Sequence, residues 1–175
     1  MTKIRNNLDK KYNKGTIAIH WLTFILIVLL FPLGKYMAGL EAEAKMSLLK
    51  THASFGAIIF ILTTIRAWLF FKAERPANIK TGYKFNDRLV VWVHYTFYIL
   101  LFGISISGIV TLLFGGYASA LIHEDAELII HSDNMFSLEG HGLMALLLML
   151  LIVMHVAGVA KHYLFTKENA LDRIM

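Results

Sequence analysis

The 175-residue sequence contains no cysteine. That excludes disulfides, thiolate zinc sites and cysteine-ligated iron–sulfur clusters. No Asp or Glu falls in the middle of any long apolar run. Proton and metal paths through a membrane usually need such carboxylates, so their absence weighs against a transporter. There is no internal linker and no low-complexity stretch, so the chain reads as one domain, 1–175. Nothing in it points to a nucleic-acid partner. What it has in quantity is apolar residues, 57% of the total, with a mean hydropathy of +0.60. That is too apolar for a soluble domain of this size.

The apolar residues fall into four runs, each long enough to cross a bilayer. They lie at about 16–38, 51–71, 89–114 and 137–165. The expected fold is all-α integral membrane, a four-helix transmembrane bundle. The first run exceeds the apolar core of a secretory leader and carries His20-Trp21, so it is read as a spanning helix. Pro32 within it is expected to kink the helix or open its last turns. Residues 39–50 read as a short polar connection. Residues 115–136 are acidic and partly amphipathic, as in a short helix lying on a membrane surface. Of the 17 Lys and Arg, fourteen lie in the N-terminal tail, between Arg66 and Arg88, and after the fourth run. Only Lys35, Lys45 and Lys50 fall on the other side. The positive-inside rule then makes both termini cytoplasmic.

The histidines sort by depth on this map. His20 opens helix 1 at the inner side, and His52 opens helix 2 at the outer side. His94 is early in helix 3, at the inner side. His141 and His155 share the fourth helix, fourteen residues apart. That offset is close to four turns, about 21 Å, with both imidazoles near one face. Two level-matched pairs result: His52 with His141, and His20 with His155. Histidines within a membrane are costly and usually functional. A haem between two helices takes one imidazole from each, which blocks ready oxygen binding and suits one-electron transfer. A single such histidine would be read as an interhelical hydrogen bond; four at two levels point to two haems. His94 could replace His20 as a ligand or serve a substrate pocket beside the inner haem. His123 and His131 read as ordinary loop histidines.

Other residues fit the same scheme. Gly56 lies one turn from His52, Gly140 and Gly142 flank His141, and Gly158 is near His155. Glycine lets a flat macrocycle approach the backbone, although it also serves close helix packing. Trp21 belongs to the surroundings of the inner haem. Arg66 is fourteen residues after His52, placed to meet haem propionates or to snorkel to the headgroups. Arg88, His94, Lys161 and His162 lie near the inner haem, where a substrate pocket would need groups that relay protons. Arg88, Lys161 and His162 equally suit phospholipid contact.

The ordered set Ile19-His20-Trp21, His52-x-x-x-Gly56, Arg66, His94, His141, His155 and Lys161-His162-Tyr163 resembles the bacterial cytochrome b561 family. The resemblance covers nearly the whole chain. It implies a four-helix, di-haem b protein of the inner membrane. His20 and His155 would hold the inner iron, His52 and His141 the outer iron, and His94 would stand off the metal. The branch it is most similar to contains superoxide oxidase, which takes an electron from superoxide outside and passes it to ubiquinone. The outer side departs from that expectation, with Glu41, Glu43, Glu124, Asp125, Glu127, Asp133 and Glu139 against three lysines. Such a field repels superoxide. Lys50, two residues from His52, is the candidate for local rescue. The alternative reading is an electron-transfer anchor between a soluble dehydrogenase or hydrogenase partner and the quinone pool, with the acidic loop as its docking surface.

Overall fold

The computed structural model describes residues 11–72, 84–129, 135–166 and 174. The basic tail 1–10, the loop 73–83 with Arg75 and Lys80, His131, Asp133 and the side chain of His162 lie outside the described residues. Every long element is helical, and no strand occurs among the described residues. In chain order these are α1 (Lys14–Ala38), α2 (Ala42–Lys72), α3 (Lys84–Phe114), α4 (Tyr117–His123), a 3-10 turn (Ala126–Leu128) and α5 (Phe136–Thr166). Four of them are long and apolar enough to cross a membrane. Only 6–11% of each apolar span is buried within the bundle. Lipid must therefore cover the rest, because water-exposed apolar surface on this scale is not tolerated.

The helices outrun the apolar runs that announce them. α2 begins at Ala42, so most of the supposed connection 39–50 is helix, and only Gly39 to Glu41 link α1 to α2. Charged residues such as Glu43 and Lys45 are good helix formers and continue the spiral into the polar zone. α3 likewise starts at Lys84. α1 runs through Pro32 without interruption. One lost N–H donor is tolerated in a membrane helix with neighbours. Its start is fixed by Asn13, whose side chain accepts a 2.8 Å hydrogen bond from the Gly15 amide. That satisfies one of the orphan donors of the first turn.

The end where α1 and α3 start, and α2 and α5 finish, is called the near end; the opposite end is the far end. α1 packs along α2 and α3 along α5, while α2 and α3 join the two pairs. α1 and α5 do not come into comparable backbone contact. The core is a belt at mid-depth: Leu26, Leu30, Ile59, Leu101, Leu148 and Ile152. At the far end, Tyr117, Ala120 and Ile129 pack on Met46, Leu49 and Leu112, seating α4 on α2 and α3. Burial pushes the Tyr117 phenol above its ordinary range. The turn into α4 needs Gly116, whose φ is 75°.

Candidate functional site

The four long helices share one spacing. Fourteen residues separate His20 from Gly34, His52 from Arg66, His94 from Gly108 and His141 from His155. Each helix thus places one residue at each of two levels, about 21 Å apart. The far layer is Gly34, His52, Gly108 and His141. The near layer is His20, Arg66, His94 and His155. Ile59, Leu101 and Leu148 of the apolar belt lie halfway, seven residues from each layer.

The far layer is drawn tightly together. The His52 and His141 ring centres are 6.1 Å apart. Metal–nitrogen bonds of about 2 Å, plus a ring radius of about 1 Å on each side, put two imidazoles sharing one ion at about 6 Å. Each ring lies against a glycine of another helix. A Cβ on Gly34 would stand 3.1 Å from His52 Cε1, and one on Gly108 would stand 3.2 Å from His141 Cε1. His141 Nδ1 is 2.9 Å from the Ile104 carbonyl oxygen. A carbonyl only accepts, so Nδ1 carries the proton and Nε2 keeps its lone pair for a metal. The Ser107 hydroxyl stands 3.2 Å from the same Nδ1. His52 Nδ1 is buried with no hydrogen-bond partner.

The near layer lines a cavity. Its walls include His20, Trp21, Arg66, His94, Phe97 and His155. At ≈200 Å³, the cavity is smaller than the roughly 300 Å³ and upward of typical ligand pockets. His20 Nδ1 and Thr23 Oγ1 are buried without hydrogen-bond partners, and both residues line this cavity. His155 touches His94 and Phe97, with ring centres 5.7 and 5.4 Å away. His94 Nδ1 lies 2.6 Å from the Val90 carbonyl oxygen, so its Nε2 also keeps a lone pair. Arg66 Cζ sits 6.0 Å from the centre of the Tyr98 ring. The Trp21 indole donates a 2.8 Å hydrogen bond to the Ile174 carbonyl, and Ile174 forms part of the cavity wall.

The structure brings together some of the expected residues and not others. His20, Trp21, Arg66, His94 and His155 share the near cavity. Arg88 and Lys161 are exposed and are not among its walls. An added Cβ on Gly56, Gly140, Gly142 or Gly158 would meet nothing within 4 Å. These glycines therefore make no close helix contact, and the space beside them is open. Lys50 is exposed and lines a far-end concavity of ≈730 Å³ together with Glu41, Glu43, Glu124, Asp125 and Glu127. His123 is the last residue of α4 and is exposed. Sequence reasoning missed Gly34, Gly108, Ser107 and the Ile104 carbonyl. The fourteen-residue offset of the two glycines from His20 and His94 was a signal that could have found the first two.

The donor set fits haem iron: His52 stands beside His141 at the far level, His94 beside His155 at the near level with His20 in the same cavity, and no thiolate or carboxylate is among them. The sequence model of a family described as prokaryotic cytochrome b561 matches residues 11–175. No solved structure matches the chain.

Proposed function

The chain belongs to the prokaryotic cytochrome b561 family, a family of membrane haem b electron-transfer proteins, and from that membership we propose that it passes electrons between two haems b stacked across a bacterial inner membrane. The observation that carries this reading is the pair of four-residue layers, about 21 Å apart along the axis. Haem b supplies reversible one-electron chemistry when bound. His52 and His141 hold one haem, at the outer side by the distribution of Lys and Arg. His20 and His155 hold the other, at the cytoplasmic side. His155 also touches His94, which stands as the neighbour of that pair. Arg66 offers a cation to propionates in the near cavity. His94, in the wall of the same cavity, is the candidate to meet a quinone head there.

The donor is superoxide and the acceptor ubiquinone. Two superoxide ions each lose one electron and leave as dioxygen; the quinone gains two electrons and two protons and becomes quinol. Among the described residues Lys50 is the one cation lining the far concavity, and it is the group that would attract the anion. The five carboxylates around it favour a second reading. In that reading a soluble redox protein with a basic face docks at the concavity and delivers the electrons.

The test is stopped-flow haem absorbance of the purified protein after a superoxide pulse, with and without ubiquinone. Two haems per chain that reduce near the diffusion limit and reoxidise with quinone support the first reading. Two haems that superoxide barely reduces move the assignment to a protein donor. Absence of haem overturns both.

A further inference from the structure

The two far-layer imidazoles are held in different ways. His141 Nδ1–H donates to the Ile104 carbonyl at 2.9 Å. That carbonyl belongs to α3, one turn before Gly108. A helical side chain covers the surface over the turn preceding its own Cα. Any side chain at position 108 would therefore lie over the Ile104 carbonyl. Glycine leaves it open to the imidazole, beside the Ser107 hydroxyl that donates to the same carbonyl at 2.9 Å, and the imidazole comes within 3.2 Å of where a Cβ would be. His52 is seated just as closely, 3.1 Å from a Cβ on Gly34. Its Nδ1, however, has no hydrogen-bond partner.

We propose that Gly108 is a positioning residue of the far centre: by leaving the Ile104 carbonyl open to the imidazole it lets that carbonyl hold the His141 Nδ1–H, and so sets the far haem's redox potential from the α3 side alone. This rests on the reading that His52 and His141 ligate that haem. Hydrogen bonding at Nδ1 makes the ligating nitrogen more electron-donating and favours the oxidised iron. Loss of the bond therefore raises the midpoint potential. Gly34→Ala is the internal control, because it crowds an imidazole to the same degree where no such bond exists.

Redox titration of the purified, haem-loaded protein tests this. Gly108→Ala is expected to raise the midpoint potential of the far haem and leave the near haem unmoved. Gly34→Ala is expected to leave both potentials in place. An unshifted far haem in Gly108→Ala overturns the proposal, and so does an equal shift in Gly34→Ala, which assigns the effect to crowding. Should Gly108→Ala shed the far haem, retention of the near haem reports an intact bundle. Far-haem retention by Gly34→Ala then supports the proposal, and loss from both variants overturns it. His141→Ala separates the two levels of inference. A far haem that survives it overturns the ligand assignment and this proposal with it. A far haem that is lost, with Gly108→Ala unshifted, overturns this proposal alone.

Discussion

Arg66 shows how one side chain takes its meaning from its layer. On a helix end it would pass for a residue reaching to lipid headgroups. Here it is half-buried, faces the Tyr98 ring and shares a cavity with three histidines. If the near layer holds a haem as proposed, a cation beside it stabilises the extra electron. Arg66→Gln is therefore expected to lower the near haem's midpoint potential by on the order of 60 mV, a tenfold change for one electron. The far haem, about 21 Å away, should not move. Spectroelectrochemistry of the two haems checks both halves. Arg66 was legible in the sequence through its spacing from His52, but its choice of cavity over headgroup was not.

At the scale of elements, the far-end corner depends on two adjacent glycines used for different reasons. Gly116 adopts φ 75°, where an L side chain costs about 1–2 kcal/mol. A Cβ on Gly115 would fall 2.6 Å from the Thr111 carbonyl and 2.7 Å from the Tyr117 ring. Backbone cannot yield as a flexible side chain does, so overpacking there costs about 1–3 kcal/mol. Gly115→Ala is expected to destabilise more than Gly116→Ala, and thermal unfolding in detergent gives the order. The α4 turn shapes the acidic concavity, so both variants test whether that wall matters to electron donation. The surface helix expected over 115–136 is a seven-residue α4 and a 3-10 turn. The sequence there showed the acidic character but not where the chain turns, since the turn is set by how Tyr117 and Ala120 bury against α2 and α3.

Across the whole molecule, charge and lipid exposure decide which partners can approach. The far concavity gathers Glu41, Glu43, Glu124, Asp125 and Glu127 around Lys50. Fields of this kind act over about 8–10 Å at physiological salt and are screened beyond. If superoxide is the donor, added salt is expected to speed reduction by weakening the repulsion, and Lys50→Glu to slow it. A basic protein donor gives the opposite salt dependence, since screening removes its attraction. Stopped-flow rates between low and high ionic strength distinguish the two.

The sequence by itself determined the four spans, because ~30 Å of hydrocarbon demands runs of about 20 apolar residues. It also determined the two depths, because a fourteen-residue offset on a straight helix returns to nearly the same face. Helix ends were less legible, since Ala42 to Lys50 form helix although they are polar. The tertiary structure decided what no single helix contains. His94 and His155 meet because α3 packs along α5. His20 shares a cavity wall with them although α1 makes no comparable backbone contact with α5. Gly34 and Gly108 become seats for His52 and His141 only when a neighbouring helix brings an imidazole to a bare stretch of backbone. Periodicity along a chain reports depth and face; which faces meet depends on packing between helices, and packing alone brings an imidazole of α5 to a carbonyl of α3.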